Sequence, residues 1–191
     1  GAITGAGGIL IAGTGSICCG VDENGRFARV GGWGHLIDDG GSGYAIGRDA
    51  LALTVRGEDG RAPRGALHDT VLRRTGAADA RGIVEFTYHG ASKAEVAALA
   101  AEVLRLAAQG DAQSAAILRR EAEELRELVS ALARELAIAQ PRIALMGGLL
   151  AEENVYREAV CAALSGMAQP VRPLHDALWG AAQLAFEALG E

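Results

Sequence analysis

The sequence predicts an α/β layered fold, and three observations carry that prediction. Short apolar runs rich in β-branched residues, each closed by glycine, open the chain and recur at Arg142 to Met146. Between them, the stretch from Ser92 to about Ala139 repeats its apolar residues at helical spacing, with cap signals at each break. After Pro141, strand-like and helix-like segments alternate. Strands interleaved with helices bury their apolar faces best as layers around one sheet.

The elements follow in order. Gly8 to Ala12 holds β-branched Ile9 and Ile11 and predicts a strand buried on both faces. It stops at Gly13-Thr14-Gly15-Ser16, and Ile17 to Val21 continues as a second strand. Asn24-Gly25 is a strong hairpin signal, which makes Phe27 to Val30 the returning strand. Residues 44–55 carry a helical pattern, residues 57–65 a loop, and Leu67 to Arg74 a helix closed by Gly76. Gly82 to Tyr88 fits strand and helix equally. Ser92 followed by Glu95 has the spacing of a capping box, and that helix stops at Gly110. Asp111 caps a longer helix whose Glu121, Glu123, Glu124, Arg126 and Glu127 are expected to form a solvated face. Arg142 to Met146 reads as a buried strand, Glu153 to Leu164 as a helix, Pro170 to Leu174 as extended, and Leu178 to Leu189 as the last helix.

Bulk properties exclude several function classes. The net charge of −6 gives no footprint for nucleic acid or an anionic membrane surface. A phosphorylated ligand would have to be met by backbone amides and a metal, not by a basic patch. Cys18, Cys19 and Cys161 are odd in number, with two adjacent, which argues against a disulfide framework and for a reduced, cytoplasmic setting. No cysteine or histidine spacing suggests a metal site, and the longest apolar run, Ile143 to Leu150, is too short to span a bilayer. His35, His68, His89 and His175 have no spacing that recommends a relay.

The 27 glycines cluster where chemistry is expected. In Gly13-Thr14-Gly15-Ser16, directly after a strand, backbone N–H groups and two hydroxyls can converge on an anion. The other reading is a plain strand-to-strand turn. In Gly31-Gly32-Trp33-Gly34-His35, followed by Asp39 and Gly41-Ser42-Gly43, an indole face beside a carboxylate suits a sugar. The other reading is a core tryptophan, with Asp39 capping a helix. Met146-Gly147-Gly148 ends a strand where open α/β sheets bind ligands, and glycine there lets a base or ribose approach. A structural turn accounts for it equally well.

Taken together these motifs resemble one family. Gly13-Thr14-Gly15-Ser16 is similar to the second phosphate motif of the actin/hexokinase superfamily. Gly31 to His35, Asp39 and Gly41-Ser42-Gly43-Tyr44 resemble the signature of N-acetylglucosamine kinases, which share their fold with the BadF/BadG/BcrA/BcrD ATPases. Met146-Gly147-Gly148 is similar to the adenosine motif, and His175 to Ala182 resembles the C-terminal segment of the family. The resemblance implies an actin-like ATPase (ribonuclease H-like) domain: a mixed sheet flanked by helices, with a helical insertion. It implies ATP and Mg²⁺ as cofactors, an amino sugar as substrate, and phosphorylation of N-acetylglucosamine at its 6-hydroxyl. Thr14 and Gly15 would meet the ATP phosphates, and Ala97, Gly147 and Gly148 the adenosine. Ser16, Gly32, Trp33, Gly34 and Asp39 would hold the sugar. A homodimer is compatible with it, and nucleic acid and membrane partners are not expected.

Three departures from the family pattern stand out. The family's first phosphate loop, Asp-Gly-Gly-Gly-Thr, is absent from this sequence. The general-base aspartate would precede Gly1, so residues 1–191 are expected to form a single C-terminal lobe that lacks its N-terminal partner. Ile17 stands where asparagine is common, and Gly40 where glutamate is common. Two rival readings remain: an activator ATPase of the BadF type coupled to electron transfer, and a non-catalytic sugar-sensing or dimerisation module. Ala12 stands where such activators usually carry cysteine.

Overall fold

The computed structural model describes residues 5–175 together with 179, 180, 182, 185 and 186. Its sheet has five strands in the order β3-β2-β1-β4-β5. These are β1 (Gly7–Ala12), β2 (Ser16–Val21), β3 (Phe27–Gly31), β4 (Arg142–Met146) and β5 (Gln169–Val171). β1, β2 and β3 form an antiparallel meander, whereas β4 lies parallel to β1 and β5 parallel to β4. The expected mixed sheet is therefore present, and the meander turns at the Asn24-Gly25 signal, where Gly25 has a φ of 79°.

Between β3 and β4 run the helices α1 (Gly43–Glu58), α2 (Ala66–Thr75), α3 (Ala80–Glu85), α4 (Lys93–Ala108) and α5 (Ala112–Glu135). A π-helical turn at Phe86–Gly90 links α3 to α4, so the ambiguous 82–88 stretch is helical. The capping box of α4 forms as its spacing predicts: the Ser92 side chain accepts from the Glu95 N–H, and the Glu95 carboxylate accepts from the Ser92 N–H. Gly76 closes α2 in the left-handed region, and Gly110, with a φ of 90°, sits between α4 and α5. The helix α6 (Val155–Ala163) is capped by Asn154, and beyond it the described residues 179, 180, 182, 185 and 186 are helical. Most of the predicted 178–189 helix, and part of the His175–Ala182 motif, lie outside the described residues.

The core lies between the sheet and α5. Leu10, Cys18, Ile143 and Leu145 face Leu125, Val129, Leu132 and Leu136, all buried. Gly8 lets α5 come close, because a methyl group there would stand 2.8 Å from Leu132 Cδ2. Burial alternates along β1: Leu10 and Ala12 are buried, while Ile9 and Ile11 are only half-buried. The apolar run predicted burial on both faces; packing by α5 on one face accounts for the alternation. Of the adjacent cysteines, Cys18 points into this core and Cys19 is half-buried; both are free thiols.

A second seam joins α1 to α4. A Cβ on Gly47 would meet the Val96 carbonyl at 2.0 Å, and one on Gly43 would touch Ala97 Cβ at 3.5 Å. Two glycines one turn apart thus let the helix backbones touch. This contact sets the N-terminal ends of α1 and α4 beside the carboxyl end of β1. Among the described residues, no helix is long and apolar enough to cross a membrane.

Candidate functional site

β1 and β4 run parallel, so their carboxyl ends open on the same edge of the sheet. Open α/β sheets gather ligands at that edge, and three glycine loops meet there. The first, Gly13 to Ser16, is a tight turn in which the Gly13 N–H donates to Gly15 O at 2.9 Å. It is docked on the start of α1: Gly13 O accepts from the Gly43 N–H at 2.7 Å, and Thr14 O from the Tyr44 N–H at 3.4 Å. Thr14 is exposed, and the positive end of the α1 dipole lies behind the turn.

The Met146-Gly147-Gly148 loop folds onto the same point. Gly147 has a φ of 88°, and a methyl group on it would lie 2.3 Å from Ala12 O, so no larger residue fits. The Leu149 N–H donates to that same carbonyl at 3.1 Å. Gly148 is exposed, with open space where a side chain would stand. Ala97, on α4, reaches the site through its contact with Gly43. Thr14, Gly15, Ala97, Gly147 and Gly148 are therefore brought together.

The loop from Gly31 to Ser42 forms the other half of the site. Positive φ angles at Gly31 (75°), Gly32 (73°), Gly34 (98°), Asp39 (63°) and Gly41 (79°) fold it back on itself. Ile17 packs beneath Gly32, with its Cδ1 2.9 Å from where a Cβ would lie. Trp33 is 67% exposed, so it is no core residue. Arg29 holds it in place. Its Nη2 donates to Gly31 O at 3.1 Å and Gly32 O at 3.0 Å, and its guanidinium lies 4.6 Å from the indole centroid. The Trp33 N–H donates to Asp38 Oδ2 at 3.2 Å. An aromatic face held this way needs little reordering to receive a flat-faced ligand.

Asp39 is buried beneath this loop. Its Oδ1 accepts from the Ser16 N–H at 3.5 Å, and its Oδ2 accepts from Lys93 Nζ at 2.8 Å. It does not cap α1; that cap is Ser42, whose side chain accepts from the Ala45 N–H. The buried Ser16 hydroxyl donates to Gly40 O at 2.7 Å, tying the first loop to the second.

Gly41 is clamped from two sides. Its N–H donates to Glu121 Oε2 at 2.7 Å, and its carbonyl accepts from the Tyr156 hydroxyl at 2.7 Å. Glu121 is 1% exposed, which corrects the expectation of a solvated face at that position. Burial pushes the Glu121 carboxyl above its ordinary range, against the Gly41 N–H bond and nearby Arg120, which pull it down. Burial likewise raises the Tyr156 phenol, helped by the charges of Glu121 and Glu124. The raised phenol stays protonated and donates to Gly41. A side chain on Gly40 would begin 2.8 Å from Glu124 Oε2, so a glutamate there would face a like charge unless Glu124 moved.

Lys93, Glu121, Tyr156 and Arg29 escaped the motif reading, since each acts on a loop distant in sequence. Two signals were nonetheless present. Glu121 stands on the stripe of Leu118 and Leu125, three and four residues away, so helical spacing alone puts it on the buried face. Lys93 opens a helix, where the dipole disfavours a cation. Among the described residues, no group of three or more His, Cys, Asp or Glu side chains could hold a metal ion.

The comparisons with known proteins converge. A model of the BadF/BadG/BcrA/BcrD ATPase family matches residues 3–185. The chain is 36% identical over 149 residues to an N-acetylmuramic acid/N-acetylglucosamine kinase of Clostridium acetobutylicum, covering 76% of this chain and 49% of that protein. It is 30% identical over 135 residues to an N-acetyl-D-glucosamine kinase of Dictyostelium discoideum, covering 68% of this chain and 41% of that one. A crystal structure from Chromobacterium violaceum, of a protein named as a candidate N-acetylglucosamine kinase, superposes with a TM-score of 0.77 at 32% identity. That match covers 94% of this chain and 59% of the other. A similarly named structure from Porphyromonas gingivalis gives a TM-score of 0.67 at 19% identity over 88% of this chain and 56% of its own, a likeness of fold alone. The chain spans about half the length of the curated relatives it matches.

Proposed function

Because the chain belongs to the BadF/BadG/BcrA/BcrD ATPase family and has its actin-like ATPase fold, we propose that it forms one wall of an ATP-dependent amino-sugar kinase. The substrate is N-acetylglucosamine and the product its 6-phosphate. The observation that carries this reading is the meeting of a phosphate-type turn, a backbone shelf at Gly147-Gly148 and a presented indole at the carboxyl ends of β1 and β4.

In this reading Thr14 and Gly15 contact the phosphates, while Gly147, Gly148 and Ala97 border the adenosine. Trp33 gives the sugar a flat apolar face, and Gly32 and Gly34 let it approach the backbone. Asp39 accepts from a sugar hydroxyl, while the Ser16 N–H keeps its other oxygen oriented. Ser16 borders the sugar through its tie to Gly40. Phosphoryl transfer asks mainly for positioning and charge stabilisation, which backbone donors held on a rigid sheet edge can supply.

In this reading Asp39 binds and orients the sugar, and proton removal from the hydroxyl falls to a carboxylate on a facing lobe. Mg²⁺ accompanies the nucleotide and would neutralise its phosphate charge; among the described residues no cluster of His, Cys, Asp or Glu would cage it. Closure of the two lobes excludes water and limits ATP hydrolysis.

The test is ADP release by the full-length protein with and without a panel of amino sugars. Release that depends on N-acetylglucosamine or glucosamine supports the kinase and identifies its substrate. Slow release indifferent to every sugar sinks it and favours the activator ATPase.

A further inference from the structure

Lys93 is not part of any motif, yet it stands where the two halves of the site meet. It opens α4, and its Nζ donates to Asp39 Oδ2 at 2.8 Å, a partner 54 residues away. That same oxygen would lie 2.8 Å from a methyl group on Gly15. Ammonium, carboxylate and the backbone of the phosphate turn therefore share one point. The Lys93 side chain is 34% exposed and that of Asp39 only 4%, so the cation reaches solvent and covers the anion.

The charges at this point cannot stay as they are when both substrates bind. An unpaired Asp39 carboxylate would repel a triphosphate on Thr14 and Gly15; paired with Lys93 it does not. A triphosphate, however, carries more negative charge than a single carboxylate and competes for the same ammonium. Lysine is a point charge on a flexible stem with rotatable donors, so it can change partner without a backbone shift. A buried carboxylate that loses its cation needs new donors, because an unpaired buried charge is costly.

We propose that Lys93 is a charge switch that couples the two substrates: the nucleotide's phosphates draw its ammonium away from Asp39, and the uncovered carboxylate takes a hydrogen bond from a sugar hydroxyl. This rests on the kinase reading above. Nucleotide thus creates the demand for a donor that the sugar meets, and by linkage each substrate tightens the other. The Ser16 N–H stays on Asp39 Oδ1 and keeps the carboxylate oriented through the exchange.

The experiment measures N-acetylglucosamine affinity by calorimetry on the full-length protein, with and without a non-hydrolysable ATP analogue. Wild type, Lys93→Met and Lys93→Arg are compared, and adenosine binding reports an intact nucleotide shelf. Wild type is expected to bind sugar about tenfold more tightly with the analogue present, within the usual range of coupling. Lys93→Met loses that gain while keeping its adenosine affinity, and Lys93→Arg retains most of it. Undiminished coupling in Lys93→Met overturns the switch and leaves the kinase reading standing. Loss of adenosine binding in Lys93→Met assigns the residue a merely structural role and overturns the switch as well. If the wild-type protein binds neither the analogue nor the sugar, the kinase reading itself has failed.

Discussion

Adding one methyl group to each of two neighbouring glycines separates shape from chemistry at the proposed nucleotide shelf. Gly147 is held at a φ of 88°, and its added Cβ would lie 2.3 Å from Ala12 O. The left-handed conformation costs a non-glycine residue about 1–2 kcal/mol, and overpacking against backbone adds about 1–3 kcal/mol. Gly147→Ala is therefore expected to lose roughly 2–5 kcal/mol of stability. Gly148 has no positive φ and nothing within 4 Å of its Cβ position. Gly148→Ala is expected to stay within about 0.5 kcal/mol of wild type, yet to weaken ATP by roughly tenfold if adenosine lies on that backbone. Urea unfolding reads the first effect as a midpoint lowered by on the order of 1–2 M, and calorimetric ATP titration reads the second. A Gly147→Ala protein as stable as wild type would refute the packing argument. Unchanged ATP affinity in a well-folded Gly148→Ala protein would remove that residue from the nucleotide site.

Other perturbations test the neighbouring parts. Tyr156→Phe removes one side of the Gly41 clamp and should cost about 1–2 kcal/mol in urea unfolding, with a higher KM for sugar; an unchanged KM would show that the clamp does not position the sugar loop. Trp33→Ala, at an exposed position, should leave the unfolding midpoint in place while raising the sugar KM roughly three- to tenfold; an equal loss for every substrate, ATP included, would contradict stacking on sugar. His68 is buried between α1 and α2, its Nδ1 3.0 Å from Asp69 and its Nε2 2.8 Å from Glu58. Burial pushes its pKa down, but the bonds to Asp69 and Glu58 outweigh burial, so it stands above the ordinary 6.5. The stabilisation it brings is complete below 6.5 and fades as pH rises through the raised folded value. His68→Gln should flatten that part of the stability–pH curve; a slope retained in the variant would place its origin elsewhere.

The sequence disclosed what is local. The Ser92–Glu95 box, the Gly76 stop and the Asn24-Gly25 turn each act within a few residues, and each formed as predicted. The glycine loops were legible because the motif order fixes them at strand ends. Hidden were the ties between distant segments. Lys93 reaches Asp39 over 54 residues, and Glu121 reaches Gly41 over 80. An acidic run from Glu121 to Glu127 reads as solvated by composition, but α5 lies on the sheet and turns one of its members inward. The short 82–88 segment, with few apolar positions to count, offered no period long enough to choose between helix and strand.

The Ser16 hydroxyl on Gly40 O and the Ser16 N–H on Asp39 join the turn at residues 13–16 to the loop at residues 31–42 as a single casting. In the proposed kinase reading, the span on this wall between phosphorus and sugar hydroxyl is then set before either molecule arrives. Adaptation to a bulkier or shorter sugar then cannot stretch it from this side without exchanging both loops at once. Grafting residues 31–42 of a relative with another preference should mismatch the turn at residues 13–16. Transplanting the two segments as a pair carries their spacing along with the specificity.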